Sequence, residues 1–139
     1  MANYEGGRCF MVRICIVEDE PNIIEALRYL FEAEGWQVDV ISDGAAAVDA
    51  IKTTKPSLVV LDYMLPSLSG VAVAQKLREE PDLSQLPILM LSAKGQEKDK
   101  QLAQLAGINV FMTKPFANSA LLEQIKTLLK QPHSDVISA

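Results

Sequence analysis

The sequence predicts a doubly wound α/β domain of five βα units, and three observations carry that reading. Five short, continuously apolar runs recur along the chain, at residues 13–17, 37–41, 58–61, 88–91 and 108–112. They lack the alternation of a half-exposed strand, which is the pattern of strands buried on both faces. Segments of helical spacing lie between them, and strict alternation of strand and helix builds a parallel sheet covered on both sides. A length of 139 residues suits one domain, and 49% hydrophobic residues against 22% charged supply its core.

The first run, 13–17, leads into a helix with Pro21 near its start, an apolar face of Ile23, Ile24, Leu27, Leu30 and Phe31, and Gly35 past its end. After 37–41, Asp43 and Gly44 open a second helix marked by Ala47, Ala50 and Ile51. After 58–61, Val73, Ala74 and Leu77 mark a third. The run 88–91 precedes a fourth helix whose face is Leu102, Leu105 and Ala106 and which stops at Gly107. Following 108–112, Leu121, Leu122, Ile125, Leu128 and Leu129 give the last helix, with Asn118 or Ser119 as its N-cap. The domain therefore occupies residues 13–130, with 1–12 and 131–139 expected to be flexible tails. Met11 directly precedes the first strand, and the ten residues before it read either as a leader or as an unstructured extension.

Composition narrows the function. Thirteen Lys and Arg against eighteen Asp and Glu give a net charge of -5, which argues against binding nucleic acid or anionic lipid through bulk charge. No apolar run approaches the ~20 residues of a membrane span. The N-terminus has neither a basic start nor an apolar h-region, so no membrane partner is expected. Two cysteines, Cys9 and Cys15, are too few for a disulfide scaffold, and the cytoplasm is the expected compartment. The lone histidine, His133, counts against a two-histidine zinc site and a Ser-His-Asp triad.

Ligands of doubly wound domains sit outside the carboxyl ends of the strands. The first strand ends in Glu18 and Asp19, followed by Glu20. The third ends in Asp62 within LVVLDYMLP, the fourth in Ser92 within ILMLSAK, and the fifth in Thr113 and Lys114 within FMTKPF. Taken singly, each has an ordinary explanation. Asp and Ser cap helices and turns, acids favour helix N-termini, and loop lysines are solvated. Taken together, Glu18, Asp19 and Asp62 would repel one another at one sheet edge, and a bound divalent cation accounts for them more simply. All-oxygen ligands suit Mg²⁺, which keeps several waters and accepts phosphate oxygens.

Residues 13–129 resemble the receiver domain of two-component response regulators, the CheY-like family. The resemblance rests on the acidic pair in VEDE, on LDYMLP followed by Gly70, on LSAK and on TKPF, each in order and at its own strand end. It implies a flavodoxin-like strand order of 2-1-3-4-5. It also implies that Asp62 is a phospho-acceptor, taking its phosphoryl group from a histidine kinase or histidine phosphotransfer domain to form an acyl phosphate. Mg²⁺ would be held by Asp19, by Glu18 through water, by Asp62 and by the backbone carbonyl of Met64. Lys114 and the Ser92 hydroxyl are expected to contact phosphoryl oxygens. The Lys114–Pro115 bond is usually cis in the family. Phe111 resembles the switch aromatic, turning inward as Ser92 moves; its alternative is an ordinary core residue of the fifth strand. That switch would alter the surface of the fourth helix, fifth strand and fifth helix, through which a downstream effector is controlled. Met64 and Lys94 are expected to flank the water that hydrolyses the acyl phosphate. The chain would be no enzyme beyond its own phosphorylation and dephosphorylation.

Rival functions fit less well. A haloacid-dehalogenase-type phosphatase needs a second Asp where Met64 stands, and a nucleotide or flavin module lacks its glycine motif. A pseudo-receiver has no use for the whole acid, hydroxyl and lysine set. With no basic patch or helix-turn-helix, the chain itself is expected to bind no nucleic acid. The charges by which winged-helix regulators pair are missing: Asn109 and Val110 replace acids, Ala120 and Gln124 replace an acid and a base, and Asp99 lacks a basic partner. A stand-alone regulator fits this set, as does a receiver from a larger DNA-binding regulator or hybrid kinase.

Overall fold

The fold is taken from a computed structural model that describes residues 2–5 and 8–130. Strands β1 (Arg13–Val17), β2 (Gln37–Ile41), β3 (Leu58–Asp62), β4 (Ile88–Ser92) and β5 (Val110–Thr113) alternate with five helices. These are α1 (Pro21–Glu32), α2 (Gly44–Thr54), α3 (Gly70–Glu79), α4 (Glu97–Leu105) and α5 (Asn118–Lys130). The strands pair in parallel in the order β2-β1-β3-β4-β5. Strand order reverses between β1 and β3, and such reversals open a crevice at the carboxyl ends.

Successive strand residues serve opposite faces. Ile14, Ile16, Leu58, Val60, Leu89 and Leu91 pack with Leu27 and Phe31 of α1 and Leu121, Ile125 and Leu128 of α5. Cys15, Val17, Val59, Leu61, Ile88 and Met90 pack with α2, α3 and α4 through Ala47, Ile51, Val73, Leu77 and Ala103. Each fully buried Leu or Ile contributes roughly 1.5–3 kcal/mol. The central strands thus carry most of the hydrophobic stabilisation and fix the strand ends rigidly.

Four features differ from the sequence reading. Leu102 and Leu105 of α4 are 48% and 84% exposed, so of the expected face only Ala106 is buried, and the helix otherwise turns Asp99 and Ala103 inward. Small residues let a short, polar helix lie close to the sheet, so its apolar side is not its buried side. Ile108 belongs to a turn rather than to β5. Gly107 takes φ +89°, its N–H donates to Gln104, and the Ile108 N–H donates to Ala103, which is a Schellman closure of α4. At α5 the Ala117 carbonyl accepts the first helical bond, from Leu121, one residue before the expected cap. Finally, Ala2–Glu5 and Arg8–Met11 pair as an antiparallel hairpin where no element is expected. Residues 131–139, the other expected tail, lie outside the described residues.

Candidate functional site

The carboxyl ends of β1, β3 and β5 bring three acids and one ammonium together. Glu18 follows β1 directly, its N–H donating to the Ile41 carbonyl of β2 at 3.1 Å. Glu18 is 2% exposed and Asp62, the last residue of β3, is 6% exposed, whereas Asp19 faces solvent. One carboxylate oxygen from each of Glu18, Asp19 and Asp62 lies within 4.8 Å of the others. The Lys114 Nζ stands 3.0 Å from Asp62 Oδ1 and 3.4 Å from Glu18 Oε1. The Glu20 N–H donates to Glu18 Oε2 at 3.3 Å.

Local structure explains these positions. The Lys114 N–H donates to the Ser92 carbonyl at 2.8 Å, and the Lys114–Pro115 peptide is cis. Beyond Asp62, the Tyr63 N–H donates to the Leu91 carbonyl and the Tyr63 carbonyl accepts from Gly70, each at 2.9 Å, which ties the start of α3 to the acceptor strand. A Cβ on Gly70 would stand 2.2 Å from the Asp62 carbonyl oxygen. Only glycine lets α3 approach so closely.

The electrostatics are those of like charges held together out of water. Burial first, and then the charge of Asp62, pushes Glu18 above the ordinary carboxylate range, against the opposing pull of Lys114. Burial also raises Asp62, partly offset by its hydrogen bond to Lys114 and by the Met64 N–H. At Lys114 burial disfavours the ammonium, but the hydrogen bond and charge of Asp62, then Glu18, outweigh it and hold the pKa up. One cation therefore serves two buried carboxylates with a third close by. The donor set is all oxygen and carries excess negative charge, which fits a hard divalent cation.

The remaining expected residues take varied places. Ser92 is fully buried at the end of β4, and its Oγ accepts the Lys94 N–H at 2.8 Å. The Met64 side chain is 56% exposed. Lys94 is exposed, its Nζ lying 5.9 Å from the centre of the Tyr63 ring. Phe111 is half-buried on β5 and packs beside α4, lining a groove of about 240 Å³ with Lys100, Ala103 and Ile108. Asn109 is structural: its Oδ1 accepts from the Ile88 N–H at 2.8 Å and from Arg78 at 3.1 Å. Among the described residues Asp99 pairs with no base; its carboxylate accepts from the Tyr63 hydroxyl and the Gln96 N–H, each at 3.2 Å. The Gln96-x-x-Asp99 spacing is the sequence signal for half of that arrangement, a capping box, and nothing local signals the Tyr63 half.

Fold and site define a receiver-type α/β domain, and the chain belongs to the response regulator receiver domain family, which it matches over residues 14–126. It is 36% identical over 126 residues to the phosphate regulon transcriptional regulatory protein PhoB of Rhizobium meliloti, covering 91% of this chain and 56% of that protein. It is 40% identical over 119 residues to the alkaline phosphatase synthesis transcriptional regulatory protein PhoP of Bacillus subtilis, covering 86% and 49%. The chain thus spans about half the length of the curated relatives it matches. The signal receiver domain of a histidine kinase from Syntrophus aciditrophicus superposes with a TM-score of 0.80 at 30% identity, covering 92% of this chain and 99% of that one. Members of this family work between histidine kinases and effectors. No helix among the described residues is long and apolar enough to cross a membrane.

Proposed function

We propose that the chain accepts a phosphoryl group on Asp62 from a phosphohistidine donor in the presence of Mg²⁺ and passes the signal on through α4, β5 and α5. The observation that carries this reading is the convergence of Glu18, Asp19 and Asp62 on one Lys114 ammonium at the sheet edge. Glu18, Asp19, Asp62 and the Met64 carbonyl would hold the ion. Bound there, Mg²⁺ offsets repulsion between the carboxylates and the incoming phosphoryl group.

The chain's own residues supply the rest. An Asp62 oxygen attacks phosphorus in line with the departing imidazole; the O–P bond forms as the P–N bond breaks, and the nitrogen keeps the electron pair. Lys114 exchanges its bond to Asp62 Oδ1 for a phosphoryl oxygen. Ser92 gives up the Lys94 N–H and donates its hydroxyl proton to another phosphoryl oxygen. The space that Ser92 leaves lets Phe111 turn inward beside α4, which reshapes the α4–β5–α5 face toward an effector. Phosphorylation and its reversal at Asp62 are then the chain's own catalysis.

Treatment with acetyl phosphate and Mg²⁺ should add one phosphate to the intact mass, and Asp62→Asn should add none. Undiminished incorporation in that variant would exclude Asp62. The output has a second reading, as the receiver of a larger DNA-binding regulator. It is favoured by relatives named transcriptional regulators, of which the matched region covers 56% and 49%. On that reading the expectation of no direct nucleic-acid contact holds for this chain alone, and retarded migration of DNA by the chain itself would overturn it.

A further inference from the structure

We infer that Tyr63 and Asp99 form a latch that holds the segment carrying Ser92 away from the acceptor, which makes both of them positioning residues for phosphorylation. The inference rests on the reading of Asp62 as acceptor and Ser92 as the hydroxyl that follows the phosphoryl group. Asp99 is the only acid of α4 that is buried, at 4% exposure. Its Oδ1 accepts the Tyr63 hydroxyl proton and its Oδ2 accepts the Gln96 N–H, each at 3.2 Å. At the other end of the same loop, Ser92 Oγ accepts the Lys94 N–H at 2.8 Å, and the Lys94 ammonium lies over the Tyr63 ring. Lys94 and Asp99, near the two ends of the segment 92–99, therefore both meet one side chain, that of the residue covalently next to the acceptor.

The rest of α4 resists displacement weakly. Within its nine residues only Ala103 joins Asp99 in being buried, and an Ala side chain contributes little. Ser92 Oγ is anchored to the loop by the Lys94 N–H it accepts, so the hydroxyl follows a phosphoryl group on Asp62 only together with that loop. Moving it carries Lys94 and Gln96 along and pulls on the Asp99 carboxylate. A buried carboxylate with few donors is strongly destabilised by losing one, so the Tyr63 bond opposes that movement. The latched arrangement is the unphosphorylated state, and the reactive one is populated only when the latch opens. Weakening the latch raises that population and, with it, the rate of phosphorylation.

The test compares wild type, Tyr63→Phe, Asp99→Asn and the double variant, each shown by urea denaturation to be folded. Acyl phosphate formation is timed with acetyl phosphate and Mg²⁺, and amide hydrogen exchange is followed over residues 93–105. Tyr63→Phe keeps the ring and removes only the hydroxyl. It should react about three- to tenfold faster, tenfold being about 1.4 kcal/mol, with faster exchange confined to 93–105. Asp99→Asn leaves one acceptor oxygen for two donors, and its rate effect should not multiply with that of Tyr63→Phe, because the Tyr63–Asp99 bond can be lost only once. A merely structural pair would lower stability without raising the rate. Rates at or below wild type, effects that multiply in the double variant, or unchanged exchange in 93–105 would each overturn the latch. If phosphate goes to a residue other than Asp62, or to none, the rate carries no weight and exchange decides alone: faster exchange in Tyr63→Phe upholds the tether, and unchanged exchange removes it.

Discussion

Gly70 offers a direct test of how tightly the acceptor is held. In Gly70→Ala the new Cβ would meet the Asp62 carbonyl oxygen at 2.2 Å and the Met90 Cε at 2.9 Å. A carbon and a carbonyl oxygen ordinarily touch at about 3.3 Å, so the backbone contact is short by about 1 Å. The Met90 methyl can swing aside, but the carbonyl belongs to the acceptor residue and its strand is paired on both sides. Overpacking of this kind destabilises by roughly 1–3 kcal/mol. Relief requires the first turn of α3 or Asp62 itself to shift by a similar distance, and a reacting group misplaced by ~1 Å can lose on the order of 100-fold in rate. Urea denaturation measures the first effect and the rate of acyl phosphate formation the second. Gly95→Ala, whose Cβ would press at 2.7 Å only on the methyl of Thr113, should lose less stability. Wild-type midpoint and wild-type rate in Gly70→Ala would refute the close-approach argument.

Three further outcomes are expected. Asp19→Asn should weaken Mg²⁺ binding, read by calorimetry, more than Glu20→Gln, because Asp19 belongs to the carboxylate cluster and Glu20 does not; equal losses would remove Asp19 as a ligand. Met64→Asn and Lys94→Glu should each speed phosphate loss several-fold, as the Met64 thioether is only a weak acceptor and the Lys94 ammonium none for the attacking water in line with phosphorus; slower loss from both variants than from wild type would defeat that account. Burial, then the charge of Asp39, pushes the Cys15 thiol up to about 12. The unfolded thiol ionises near ~8.5, so this stabilisation is whole below that pH and declines toward pH 12 by up to about 1.4 kcal/mol per unit. Urea midpoints should therefore fall less steeply between pH 8 and pH 10 in Cys15→Ala than in wild type, and parallel slopes would contradict it.

The parts of this fold that were legible in the sequence are those set by a single local rule. β1, β3 and β4 read clearly because strands buried on both faces need unbroken apolar runs. Glu18, Asp62 and Lys114 read clearly because the topology sends every strand end to one edge. Reading failed where two rules compete. The periodicity of α4 follows Leu102, Leu105 and Ala106, but close packing on the sheet selects Ala103 and, of that face, Ala106 alone. Ile108 is apolar and buried like a strand residue, yet the Gly107 turn claims its N–H for α4. The Tyr63–Asp99 bond spans 36 residues, and no spacing rule connects positions that only the folded chain brings together.

Arg78 gives the end of α4 opposite its latch a different mechanical character. Its guanidinium donates to the Gly107 carbonyl at 3.0 and 2.7 Å, to the Leu83 carbonyl at 2.8 Å and to Asn109 at 3.1 Å. It thereby fastens the turn after α4 to α3 and to the 3₁₀ turn Pro81–Leu83. α4 is thus a lever, hinged at its carboxyl end by several bonds and restrained at its amino end by few. Nine residues make it about 13.5 Å long, so raising the free end by ~2 Å needs a tilt of only about 8°. Its outer face would sweep through an arc while its carboxyl end stays in place. Displacement is then graded along the helix: greatest at Glu97 and Lys98, smaller at Leu102, and least at Leu105 beside the fulcrum.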